Sequence, residues 1–496
     1  MGDREHHVIR VLESSISEEE LEANAYKESE AAMRRSLEEQ KREVETTDST
    51  STQCIDRVPP SLTGICPEAI EPEIVSIGPH HRDKEKLLEF ESYKLQFLES
   101  LLCRKRNGGH DLLGEYYKAM LSLEESTRSC YSEVISMSSP DFVRMMVLDG
   151  CFIIELFLQM SKASDVGQPI LRRPGLIPIV TRDLLKLQNQ LPFFVLEKLF
   201  EISFLRTKQP LRNLALEFFN HSLPRPSEVL KMIIEPGEAK HLLHLFHLSF
   251  LLQSDMMITS KYAPKSKLQR TLQVLRQAAL LPAKLFIYFS RFLPFSRTPY
   301  DNDRDSNHKY RPSSESIQCT TQLRPSGIKF TPRRDAESFL DIDFRNGVLR
   351  IPPITINDLA IVVFINCMAF ERCHQYTSQR QHFTAYIAFM SCLINSTRDV
   401  RLLCADGIIT GFSLNDQYVA EMFTKLGENV VFNIRECYLS EQFRDVEAYY
   451  SSHWATFMRT YFSRPWSFIT VLTAFTVLLL AGIQTIMAIL SYLQKK

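Results

Sequence analysis

The chain has 496 residues, 44% hydrophobic and 24% charged, enough for a large core and, by length alone, about two to four domains. Its 58 Lys and Arg against 59 Asp and Glu give a formal net charge of −1. That balance excludes nucleic acid as the main partner, because binding phosphates needs a cationic surplus on one surface.

The opening MGDREHHVIRVLESSISEEE is acidic and has no apolar h-region, so no secretory signal is expected; Met1 to His6 also lacks the Ser or Thr of a myristoylation site. Ser17 to Glu45 is rich in Glu, Arg, Lys and Ala, with Ser17 and Glu20 spaced as a capping box. Leu21, Ala25, Met33, Leu37 and Val44 keep no heptad, which predicts a solvated or partner-dependent helix rather than a coiled coil. With the polar linker Thr46 to Gln53, residues 1–53 read as an acidic, helix-prone, partly disordered extension, and the body as 54–464.

Within the body, Glu73 to His81 reads as a short extended piece ended by a turn. Three- and four-residue apolar spacing then predicts helices over Lys84 to Cys103, Leu112 to Met137 and Phe142 to Met160. The last of these is too short and too charged to cross a bilayer, so it is expected to be a central buried helix whose Asp149 and Glu155 are paired. A helix over Asp183 to Leu191 is expected to lead into Pro192 and a second apolar helix through Phe200, followed by helices at Leu211 to Phe219 and Ala239 to Leu252. Ser296 to Ser326 reads as a long polar loop; its Asp301, Asp303 and Asp305 start like a calcium loop, but Ser306 replaces the Gly and Pro312 the Glu that such a loop needs. Alternation from Phe339 to Ile351 around Asn346-Gly347 is a hairpin signal. Helices are expected at Asp358 to Phe370, Phe383 to Ile394 and Gln417 to Leu426, and Tyr449 to Phe462 is expected to run directly into the last segment.

That segment, Ser467 to Leu493, carries no charged side chain and is long enough for the roughly 20 apolar residues that span a hydrocarbon core of about 30 Å. Trp466 and Tyr492 stand near its ends, Arg464 before it and Lys495 and Lys496 after it. The expectation is a C-terminal transmembrane helix over 467–493, acting as a tail anchor in the plasma membrane or endoplasmic reticulum with the body in the cytosol. Eleven cysteines without a CxxC pair read as reduced core residues. The sequons at Asn220 and Asn395 would matter only on a lumenal body.

Several separated motifs resemble the plant domain of unknown function 247 (DUF247) family, the UPF0481-like plant membrane proteins, from about Cys54 to the C-terminus. They are VSIGPHH at Val75 to His81, Glu91 with Lys94, Ser129-Cys130-Tyr131, MMVLDGCF at Met145 to Phe152 and NQLPFFVL at Asn189 to Leu196. Asn366 with Ala369-Phe370-Glu371, Asp399-Val400, Tyr461-Phe462 and Pro465-Trp466 complete the set. Gln188 stands where the family usually has Glu, and Arg372 where it usually has Gln. The resemblance implies a membrane protein without assigned biochemistry, some of whose grass relatives are implicated in self-incompatibility.

No phosphate-binding, dinucleotide-binding, nucleophile-elbow or HExxH motif is present, nor any zinc-like cysteine spacing. No catalytic, cofactor-binding or metal-ligating residue is therefore assigned, and no cofactor or small-molecule substrate is expected. His241, His244 and His247 lie three apart, with the third drifting off the face of the first two and no carboxylate beside them in sequence. Glu124, Glu125 and Arg128 have the spacing of a surface ion pair. The expected architecture is mainly α: a large helical body with a small β-hairpin and one terminal membrane helix. The expected function is interaction with or recognition of an unidentified protein. The alternatives are an enzyme using Asp149, Asn189, Gln190 and Glu371 together in one deep pocket, and a passive membrane scaffold.

Overall fold

The computed structural model describes residues 27, 29–35, 37–38, 53–104, 111–161, 173, 175–203, 209–220, 239–261, 317–336, 338–374, 381–410, 415–430, 433–459 and 465–494. The chain divides into two compact units, Met1–Cys54 and Ile55–Lys496. In the first, the described residues between 27 and 38 are helical and exposed, with an Arg34–Glu30 ion pair of 2.8 Å at i,i+4 spacing. The second is mainly helical with a small mixed sheet.

Its first half is built on α3 (Ser139–Ser161), the continuous apolar run of the sequence. Every residue from Phe142 to Leu158 is buried except Arg144, as a helix surrounded by other helices requires. Around it pack α1 (Glu85–Cys103), α2 (Leu112–Arg128), α5 (Phe193–Ile202) and α6 (Leu211–Asn220). Gly150 permits the approach of α5, since a Cβ there would lie 2.3 Å from Leu199 Cδ1. Arg104 holds Glu155 through two bonds of 2.7 Å, so this carboxylate is paired as expected. α4 (Leu176–Leu184) and α7 (Leu242–Lys261) connect this half to the second.

The second half centres on α8 (Asp358–Cys373), which the Asn357 side chain starts by accepting from Ala360 N. α9 (His382–Leu393) packs on it, and α10 (Thr397–Ala405) and α11 (Asp416–Glu428) follow. Phe250, Phe339, Phe364, Phe383 and Tyr386 interlock at centroid distances of 5.1–6.2 Å. Strands β1 (Lys329–Pro332), β2 (Asp343–Arg345) and β3 (Val348–Ile351) form a sheet in the order β1-β3-β2. β2 and β3 are the expected hairpin: Asn346 and Gly347 have φ of 53° and 75°, the left-handed pair that a two-residue turn of this kind demands. β1 joins β3 in parallel, and β4 (Ile354–Thr355) pairs in parallel with β5 (Ile409–Thr410); neither parallel pairing has a local sequence signal.

Several expectations need correction. The helix expected through Met137 ends at Arg128, whose guanidinium donates to the carbonyls of Ile135 and Met137 and sits 4.0 Å from the Phe142 ring centroid. The helix expected over Asp183 to Leu191 stops at Leu184, and the turn beyond it is held by side chains described below. Glu73 to His81 is expected as an extended piece ended by a turn; the turn is present at residues 80–83, and the piece itself, Glu73 to Gly78, joins no sheet. The end of the expected polar loop contains a short helix, Thr320–Leu323, and a 3-10 turn, Arg324–Ser326; Asp301, Asp303 and Asp305 lie outside the described residues. The approach to the terminal helix is broken: α12 (Ser440–Tyr450) ends, and Ser452 caps a new short helix, His453–Phe457, by accepting from Ala455 N. All eleven cysteines are free, but only five are buried. The last helix, α13 (Pro465–Gln494), has 30 residues. Among the described residues no helix is long and apolar enough to cross a membrane; in α13 the described side chains are those of 469 and 473–489.

Candidate functional site

The irregular segment Glu71 to His81 crosses the first half of the fold and is held almost entirely by side chains. Asp183 accepts from three successive backbone amides, Glu73 N at 2.8 Å and Ile74 N and Val75 N at 2.9 Å. Its charge is met by Lys186, 3.0 Å away, which also donates to Glu71 O. Asn189 accepts from Ile77 N at 2.7 Å and donates to Val75 O at 2.9 Å, acting as a substitute strand. Asp149 of α3 accepts from Gly78 N at 3.0 Å and from Lys94 Nζ at 2.7 Å, and Lys94 in turn donates to Ser76 O and Glu91. Arg82 joins the group through Glu91 at 3.0 Å and lies 3.5 Å from Asp149. Two cations therefore face two carboxylates in a buried, hydrogen-bonded group, the condition under which buried charge is tolerated. Gly78 has φ 73°, and a Cβ there would stand 2.5 Å from Gln190 O.

The turn after α4 uses the same device. Asn189 donates to Asp183 O, and Gln190 donates to Leu184 O and Lys186 O while accepting from Leu243 N of α7. Asn366 of α8 accepts from Leu187 N and donates to Ala69 O and Val362 O, each at 2.8 Å. These side chains bond the backbone groups that a continued helix would have used, which is why the helix stops. Gln188 and Arg372, the two departures from the family pattern, have one partner each, Arg57 at 3.3 Å and Ser61 at 3.2 Å.

Glu371 belongs to a different group. Its carboxylate accepts from His247 Nε2 at 2.7 Å, Phe383 N at 3.0 Å, Thr384 N at 2.9 Å and Thr384 Oγ1 at 2.6 Å, tying α8 to α7 and to the start of α9. His241, His244 and His247 are all buried, and the third has the carboxylate that its sequence neighbours lack. Burial among like groups pushes His244 well below the ordinary histidine range. Among the described residues no cluster of side chains has the composition of a metal site. The four polar residues singled out from the sequence thus share no pocket: Asp149 and Asn189 clamp Val75 to Gly78, Gln190 braces the turn behind them, and Glu371 serves α7 to α9.

A cleft of about 450 Å³ lies beside the first group, between Pro79, His80, Arg82 and Asp83 on one side and Glu133 to Ser138 on the other, with Arg57, Asp141 and Arg144 completing its lining. The second wall is the stretch expected to be helical, so sequence periodicity could not locate the cleft. Glu133 is bonded to Arg57 at 2.8 Å and Asp141 to Ser138 Oγ at 2.6 Å. His80 packs edge-on against Tyr131, and its side chain is only 2% exposed. Burial and the neighbouring Arg57 lower its pKa from 6.5 to about 4, so the ring is neutral at pH 7.

No solved structure matches the chain. The chain is 32% identical over 453 residues to the UPF0481 protein At3g47200 of Arabidopsis thaliana, covering 89% of this chain and 87% of that protein. It is 24% identical over 491 residues to the putative UPF0481 protein At3g02645 of the same plant, covering 87% and 89% respectively. The DUF247 family model, described as plant protein of unknown function, matches residues 55–480, and the chain belongs to that family.

Proposed function

We propose that the protein is a membrane-anchored module that binds another protein and is not an enzyme. The observation that carries this reading is the use of Asp149, Asn189, Gln190 and Glu371: each is committed to backbone groups or a fixed ion pair, and they do not converge on a common cleft. An acid/base site needs titratable groups converging where a substrate can reach them. Anchoring is assigned to α13. Ser467 to Leu493 has no charged side chain, and Val477, Leu478, Leu480, Ile486 and Met487 are 58–65% exposed, which is costly in water and favourable in lipid. The body is assigned to the cytosolic side of the plasma membrane or endoplasmic reticulum, and recognition is its role there.

The test has two parts. Proximity labelling from the full chain in plant membranes should enrich a reproducible partner that still binds the purified chain; enrichment indistinguishable from an unrelated tail-anchored control would contradict recognition. Deleting Pro465 to Lys496 should move the protein to the soluble fraction, and continued resistance to alkaline extraction would contradict the anchor. Asn395 is exposed, so a glycosidase shift lost in Asn395→Gln would place the body outside the cytosol.

A further inference from the structure

The cleft beside Arg82 is rich in donors without acceptors. Among the described residues, none of the backbone amides from Glu133 to Ser138 donates to a protein group; the stretch is largely exposed, and Arg128 engages the carbonyls of Ile135 and Met137. Arg144, the one exposed residue in the buried run of α3, has no hydrogen bond or ion pair among the described residues. Arg82 Nη1 makes no hydrogen bond, its nearest anion being Asp149 at 3.5 Å, and His80 Nε2, a donor in one neutral tautomer and an acceptor in the other, has no partner on a side chain 2% exposed. A buried polar atom without a partner is costly, and a ligand can supply the missing group. Three guanidiniums and three carboxylates line the cleft; Arg57 is paired with Glu133 and Arg82 with Glu91, leaving Arg144 as the guanidinium open to an anion and Asp83 and Asp141 as the acids that oppose one.

We propose that this cleft binds an oxyanion, a carboxylate or phosphate carried by an acidic or phosphorylated segment of the partner protein. The inference rests on the reading of the protein as a binding module and names the chemistry that module recognises. Arg144 provides the accessible guanidinium, suited to two parallel bonds to such a group. The amides of the Glu133 to Ser138 wall provide further donors, while Arg57 and Arg82 are held in fixed positions by their own ion pairs with Glu133 and Glu91. The paired Lys94–Asp149 group behind Arg82 keeps that guanidinium in place before a ligand arrives.

Titration of the full chain in detergent micelles tests this with two probes, inorganic phosphate and a hexaglutamate peptide, each against chloride at equal ionic strength. Both probes should raise the unfolding temperature, the peptide at the lower concentration. Arg144→Gln should weaken both at least tenfold while leaving the unliganded unfolding temperature unchanged, and Asp83→Asn should strengthen both. Absence of any response beyond chloride, or an undiminished response in Arg144→Gln, would overturn the proposal. Binding of phosphate with none of the peptide would overturn the acidic segment as its source and support the phosphorylated one. Loss of anion binding with partner capture intact would remove this inference alone; anion binding without any captured partner would remove the module reading instead.

Discussion

The buried group under Glu73 to Gly78 and the cleft beside it share Arg82 but obey opposite rules. In the first, five of six successive amides have a side-chain acceptor, and the charges of Lys94 and Asp149 cancel at 2.7 Å. In the second, a comparable run of amides has none. The contrast separates two settings of the backbone: the buried set fixes a segment that has no strand to pair with, and the unmatched set faces solvent. Polarity within a family motif therefore serves structure here, and the proposed anion site rests on the donors left over.

The strongest way to break the comparison is to strip the buried group of its centre. Asp149→Leu removes the partner of a Lys94 ammonium that is fully buried and should cost about 3–5 kcal/mol, as for other broken buried pairs. Thermal or denaturant unfolding of the full chain measures this, and wild-type stability would show that the group is dispensable. Gly78→Ala comes next: the left-handed φ and the 2.5 Å approach to Gln190 O should together cost about 1–3 kcal/mol. A loss under 0.5 kcal/mol would mean the segment can shift freely.

A smaller effect should appear with acid. Burial lowers the pKa of His80 to about 4 and of His81 to about 3, from the ordinary 6.5. Both are thus depressed in the folded state, and the unfolded chain binds more protons below pH 6.5. Stability from these two groups is complete above about pH 6.5 and is lost as pH falls towards 4 for His80 and towards 3 for His81. His81, with neither ring nitrogen hydrogen-bonded, should dominate. Unfolding of His81→Gln across this window should show a flatter pH dependence than wild type; an unchanged slope would remove His81 as a cause. Arg144→Gln should have the smallest effect, within about 0.5 kcal/mol, as befits an exposed residue.

Much of the helical frame is legible in the sequence because its signals are local. The run Phe142 to Leu158 can only be a buried helix, and Asn346-Gly347 supports the left-handed turn of a hairpin without strain. What escapes local reading depends on distant partners. The helix after Asp183 ends because Asn366, 179 positions away, takes Leu187 N. His247 meets its carboxylate across 124 positions. Arg128 bends the following chain into the wall of the cleft by taking two carbonyls seven and nine residues on, a choice that apolar spacing alone does not disclose. The pairing of Asp149 was expected from the cost of burying a bare carboxylate, but its partner Lys94 comes from another helix, and only the fold brings them together.

Amide hydrogen exchange on the wild-type full chain tests the central contrast in one experiment. The amides of Glu73, Ile74, Val75, Ile77 and Gly78 are expected to exchange slowly, since each is held by a carboxylate or amide oxygen. Those from Glu133 to Ser138 are expected to exchange orders of magnitude faster and to slow when phosphate or the acidic peptide is added. Equal rates in the two segments, or fast exchange at Val75, Ile77 and Gly78, would contradict the account.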